Sequence, residues 1–159
     1  LSATAETTAR LGAAIAPRLR IGEAVCLQGP LGAGKSTLAR SLIRALTRPD
    51  EDVPSPTFTL VQFYSAAGLS VAHFDLYRLT RPEEAYEIGL EEALETGAAV
   101  IEWPERLEGL IPADRLDVEL RLPPEPENEI ATSRRLVRLT GHGAWEARAG
   151  ALELGFSFD

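Results

Sequence analysis

The chain has 159 residues and a mass of 17.2 kDa, with 45% hydrophobic and 25% charged residues. That is enough for one domain spanning residues 1–159 and excludes a disordered or collagen-like chain. Sixteen basic residues against 24 acidic ones leave a net charge of -8, which argues against a chain that grips nucleic acid by itself.

One cysteine, Cys26, excludes an intrachain disulfide and suits a reducing compartment. No apolar run approaches the ~18 residues of a membrane span. The first twenty residues lack a basic start followed by an unbroken apolar stretch, so no secretory signal is expected there. With no methionine in the chain, Leu1 reads as a truncated start or an alternative start codon.

In chain order, Thr4 to Leu19 has apolar residues at helical spacing (Leu11, Ile15, Leu19), with Ser2 or Thr4 as cap and Pro17 ending the last turn early. Ala24 to Leu27 is a short buried strand. A glycine-rich loop covers residues 29–34, and Lys35 to Thr47 reads as a helix with Leu38, Leu42, Ile43 and Leu46 on one face. Strand, glycine loop and helix open an α/β unit. Thr57 to Ser65 alternates as a strand. Leu69 to Asp75 follows after a turn too short for a parallel crossover, so the pair is an antiparallel hairpin. Pro82 to Thr96 is an acidic helical stretch broken near Gly89. Ala98 to Glu102 is a buried strand, Leu116 to Leu122 and Arg135 to Thr140 are further strands, and residues 123–130 form a Pro/Glu-rich mobile loop. The tail from Ala144 is short helix or coil.

Gly29-Pro-Leu-Gly-Ala-Gly-Lys35-Ser36 fits the phosphate-binding P-loop pattern G-x-x-x-x-G-K-[ST]. Glycines let the backbone approach phosphate oxygens, successive N–H groups surround the anion, and the following helix points its positive end at it. Lys35 would reach the β/γ oxygens, and the Ser36 hydroxyl would ligate Mg²⁺. At ordinary glycine usage a chance match is on the order of 1%. Lys35 is also the single lysine among 16 basic residues, so chance is the weaker reading.

A P-loop site needs an acid at a neighbouring strand end. Asp75 and Glu102 both qualify, and spacing does not say which touches the metal. Thr57, in Ser55-Pro-Thr, reads from its position as a turn residue entering a strand. Trp103 is either a core aromatic or a face for an adenine base. His73 reads as a packed or satisfied strand histidine, and Cys26 as a small core residue. Glu83, Glu84, Glu87, Glu91, Glu92 and Glu95 read as a solvated helix face or a docking surface for a basic partner.

Four blocks in this order carry a resemblance: Gly29 to Thr37, Ser55-Pro-Thr-Phe-Thr-Leu-Val61, His73-Phe-Asp-Leu-Tyr-Arg-Leu79 and Ile101-Glu-Trp-Pro-Glu105. Together they resemble the TsaE family, bacterial P-loop ATPases of tRNA threonylcarbamoyladenosine (t6A) synthesis. The resemblance implies a parallel sheet flanked by antiparallel strands in a three-layer P-loop NTPase fold. It implies ATP and Mg²⁺ at Gly32, Ala33, Gly34, Lys35, Ser36 and Thr37, with Ser36 and Glu102 at the metal. It makes Asp75 and Lys35 catalytic and gives Thr57 a switch role. Trp103, Glu105, Thr4 and Arg134 would border the nucleotide, and Arg78 is a candidate arginine finger. It implies TsaB and TsaD as partners, tRNA contacted only through them, no membrane, and a cytoplasmic location. Pro30 stands where the family most often has Asp, which removes an amide donor from the loop, and Ser36 stands where Thr is common. The rival readings are a small-molecule P-loop kinase, for which the chain lacks an Arg-rich lid segment, and a nucleotide sensor without useful turnover.

Overall fold

Thr4 starts the first helix with a reciprocal cap. Its hydroxyl accepts from the Thr7 N–H at 3.3 Å, and Thr7 Oγ1 accepts from the Thr4 N–H at 2.6 Å. The cap satisfies donors that a helix start leaves unpaired and contributes about 1 kcal/mol. Helix α1 (Ala5–Ile15) buries Leu11 and Ile15, and Pro17 falls in a 3-10 turn, Ala16–Arg18, where the α-helix has already stopped. The structure is a computed structural model that describes residues 2–66, 68–122 and 135–155.

Strand β2 (Ala24–Gln28) leads through the glycine loop into helix α2 (Lys35–Leu46). Leu38, Leu42 and Ile43 on α2 are fully buried, each stabilising the fold by roughly 1.5–3 kcal/mol. The hairpin is β3 (Val61–Ala66) and β4 (Leu69–Asp75), antiparallel as its short turn requires. The first strand of the hairpin is shorter than its alternation suggests. Residues 57–60 form a turn, in which the Leu60 N–H donates to the Pro56 carbonyl at 2.7 Å and Leu60 adopts φ 68°. Phe58 is consequently 81% exposed and not on a strand face.

Helices α3 (Glu84–Glu87) and α4 (Leu90–Thr96) are separated at Gly89, which adopts φ 95°. Strand β5 (Gly97–Glu102) is buried along its whole length and is followed by a 3-10 stretch, Pro104–Leu110. Strands β6 (Arg115–Arg121) and β7 (Arg135–His142) and helix α5 (Trp145–Gly155) complete the described chain, with β1 (Ser2–Ala3) pairing beside β7. The expected mobile loop at 123–130 lies outside the described residues.

The strands form one sheet in the order β1-β7-β6-β2-β5-β4-β3. The centre, β6-β2-β5-β4, is parallel, and β3, β7 and β1 are antiparallel additions. α1, α2 and α5 contribute to the core on one face, and α3, α4 and the second 3-10 stretch lie with the core on the other. Three layers result, with the apolar central strands covered on both sides as a parallel sheet requires. The register aligns Asp75 with Glu102 and Glu102 with Leu27. Both acids therefore stand at the sheet edge where β2 enters the glycine loop, the edge at which open α/β sheets bind ligands.

Candidate nucleotide and metal site

Two glycines explain why the loop exists. Gly29 adopts φ 146°, and a Cβ there would meet the Leu120 carbonyl oxygen at 2.3 Å. Gly34 adopts φ 106° as the N-cap residue of α2 and offers no side-chain cap. The first N–H groups of α2 are thus left for an anion, with the helix dipole behind them.

Lys35 is only 5% exposed. Its ammonium donates to the Gly29 carbonyl and to the Pro30 carbonyl at 3.5 Å, and it sits 3.5 Å from the centroid of the Trp103 ring. Burial pushes the Lys35 ammonium below its ordinary pKa, while the negative charges of Glu102, Glu105 and Asp75 act in the opposite sense. Trp103 adopts φ 60° directly after β5. Its ring also lies 4.9 Å from that of Tyr77, centroid to centroid.

Ser36 and the two acids belong to two hydrogen-bonded sets at the same sheet edge. Ser36 Oγ donates to Glu102 Oε1 at 3.2 Å, and Glu102 Oε2 lies 2.7 Å from His73 Nε2. Asp75 Oδ1 accepts from the Tyr77 N–H at 3.1 Å, and its Oδ2 accepts from Thr57 Oγ1 at 3.4 Å. Ser55 and Thr57 hydroxyls are 2.8 Å apart. Ser36, Ser55, Thr57, Asp75 and Glu102 line a cleft of about 280 Å³ with Leu31, Gly32, Gly34, Lys35, Thr37 and Trp103. A second recess of about 140 Å³ shares Gly32, Gly34 and Thr37 and is completed by Ala5, Thr8, Ala33 and Arg135. A larger groove, about 550 Å³, crosses β3 and β4 beside α4 and contains none of the P-loop residues.

The structure brings together Lys35, Ser36, Thr37, Thr57, Asp75, Glu102 and Trp103. Thr57 is in a turn, as its position suggested, with its hydroxyl in the cleft. Thr4 is not among the residues lining the recess. Its hydroxyl caps α1, and its helix presents Ala5 and Thr8 there instead. Glu105 is exposed, absent from both linings, and acts on Lys35 through charge. Arg134 lies outside the described residues. Arg135 next to it donates to the Gly32 carbonyl at 3.2 Å. Arg135 and Thr8 were missed because β7 and α1 reach the loop only through the tertiary fold. Arg78 places its guanidinium 4.6 Å from the centroid of the Phe58 ring. Cys26 is fully buried, and burial pushes its thiol far up, as befits a core residue.

A hydroxyl, two carboxylates, an ammonium and a ring of backbone N–H groups fit a nucleotide phosphate with Mg²⁺. The magnesium would draw its hard oxygen ligands from both protein and phosphate. This donor set, at the edge of a mostly parallel sheet, defines a P-loop NTPase fold. Bacillus subtilis YdiB has the same fold, with a TM-score of 0.74 at 22% identity over 98% of this chain and 95% of its own. The model of the family "Threonylcarbamoyl adenosine biosynthesis protein TsaE" matches residues 2–130, and the chain belongs to that family. Proteins named tRNA threonylcarbamoyladenosine biosynthesis protein TsaE are similar to it. The one from Treponema pallidum is 37% identical over 84% of this chain and 98% of its own length. That from Rickettsia bellii is 40% identical over 74% and 81%, and that from Rickettsia conorii 40% over 72% and 66%. Among the described residues no helix is long and apolar enough to cross a membrane.

Proposed function

We propose that the chain binds ATP with Mg²⁺ and hydrolyses it while supporting repeated rounds of t6A formation at position 37 of tRNA. It would act with TsaB- and TsaD-type partners that hold the RNA. The observation that carries this reading is the Ser36–Glu102 contact at the start of α2, beneath a glycine loop with its N–H groups free of side-chain caps.

In this reading the residues at 32–37 hold the β-phosphate through backbone N–H groups, and Lys35 neutralises charge on the β/γ oxygens. Ser36 and Glu102 would hold the magnesium, whose contribution would be to neutralise charge on the phosphate oxygens. Asp75, oriented by the Tyr77 N–H and shared with Thr57, accepts a hydrogen bond from the attacking water. The water oxygen bonds to the γ-phosphorus as the bond to the β–γ bridging oxygen breaks, and the proton the water gives up passes by way of Asp75 to the released phosphate, giving ADP and inorganic phosphate. The recess lined by Thr8, Ala33 and Arg135 takes the ribose and base side of the nucleotide. The acidic net charge supports leaving the RNA to partners.

The test is ATP hydrolysis by the purified chain, alone and with TsaB and TsaD, together with t6A formed per complex. Stimulated hydrolysis and more than one t6A per complex are expected. ATP binding without a response of either quantity to the partners would overturn the assignment.

A further inference from the structure

We infer that His73 is a positioning residue for Glu102, holding one oxygen of that carboxylate so that the other is presented to the cation. This rests on the reading of Ser36 and Glu102 as the magnesium side of the nucleotide site.

The geometry starts from strand alternation. His73 and Asp75 share one face of β4, and Glu102 stands on the adjacent β5 in register with Asp75. His73 and Glu102 are each 2% exposed. A carboxylate only accepts, so at 2.7 Å His73 Nε2 carries the proton and donates to Oε2. Oε1 faces the Ser36 hydroxyl. When Ser36 and Oε1 turn to a cation, His73 is the one side chain among the described residues that still holds Glu102 by a hydrogen bond.

The other ring nitrogen makes the case sharper. His73 Nδ1 is buried and has no hydrogen-bond partner among the described residues. A buried unpaired polar atom destabilises the fold, and an apolar side chain of similar volume would avoid that cost. His73 is thus the packed strand histidine its position suggested, satisfied at one ring nitrogen and not at the other. The ring's one polar commitment is to Glu102, the arrangement by which groups behind a metal ligand fix its orientation.

The test uses Mn²⁺ as the probe, with binding to the protein–ADP complex followed by electron paramagnetic resonance and metal-free ADP affinity measured alongside. His73→Leu is expected to weaken Mn²⁺ binding at least tenfold, in line with groups behind metal ligands, while metal-free ADP affinity stays within about twofold of the parent. His73→Gln keeps a donor and is expected to restore most of the Mn²⁺ affinity. In a Glu102→Gln background, His73→Leu should weaken Mn²⁺ binding no further, and where the Leu variant does not fold, His73→Asn, whose shorter side chain falls short of Glu102 Oε2, makes the same comparison. Unchanged Mn²⁺ binding in His73→Leu, equal losses in the Leu and Gln variants, or additive losses in the double variant would each overturn the inference. A parent protein that binds ADP with no dependence on the cation would instead overturn the magnesium reading, and this one with it.

Discussion

Lys35 is held by carbonyls of its own loop, by the Trp103 ring and by three acids that act through charge. Lys35→Ala removes the ammonium without opening the sheet core. Hydrolysis and t6A support should fall by two orders of magnitude or more, on the scale of losing one preorganised electrostatic group, with far-ultraviolet circular dichroism unchanged. The pH sign follows from burial. The folded pKa lies below the ordinary 10.5, so between the two values the unfolded chain binds the proton that the folded chain has released. Stability contributed by this group therefore rises with pH through that window. The parent's stability relative to Lys35→Met should rise as urea midpoints are followed from pH 8 towards pH 10, and a relative stability that falls would contradict burial as the cause.

At the scale of elements, the glycine loop separates two demands made on one residue type. Gly29 lies against the Leu120 carbonyl, whereas a Cβ at Gly34 would meet nothing nearer than 3.8 Å. Both have positive φ, so both carry a backbone cost of about 1–3 kcal/mol when replaced by alanine. Gly29→Ala adds a clash with backbone from β6 and should lower the urea-derived stability by more than Gly34→Ala. Nucleotide binding, titrated with a fluorescent ADP analogue, should be weakened in both. The hairpin shows the limit of alternation as a signal. Phe58 and Leu60 continue the spacing of β3, yet the Pro56–Leu60 hydrogen bond closes a turn and places the Thr57 hydroxyl beside Asp75. Periodicity reports which side chains alternate but not whether the backbone between them is extended.

At the scale of the molecule, the C-terminal helix is tied back to the start of β2. Arg148 donates to both oxygens of Glu23 and to the Arg18 carbonyl, with its guanidinium 4.6 Å from the centroid of the buried Trp145 ring. Glu23 is 5% exposed and also accepts from the Arg20 N–H. Arg148→Ala leaves that carboxylate buried with one partner fewer and should cost about 2 kcal/mol by chemical denaturation, in the range for hydrogen bonds to charged groups. ATP hydrolysis by the variant should persist where it is folded, since neither residue lines the cleft.

The chain alone determined the P-loop, the two strand-end acids, the hairpin and the break at Gly89, because each depends on local chemistry: glycine dihedrals, a unique lysine, short turns and apolar runs. Asp75 and Glu102 were legible as candidates because apolar strands end at them. Their separate partners were not, since spacing does not show that Ser36 faces Glu102 while Thr57 faces Asp75. Nor could spacing show Thr8 and Arg135 beside the loop, or His73 behind Glu102. Arg135 is 103 positions from the Gly32 carbonyl it contacts, and His73 is 29 from Glu102. Such pairs are set by strand order and register, and those come from the packing of whole elements around the sheet, which no local pattern encodes.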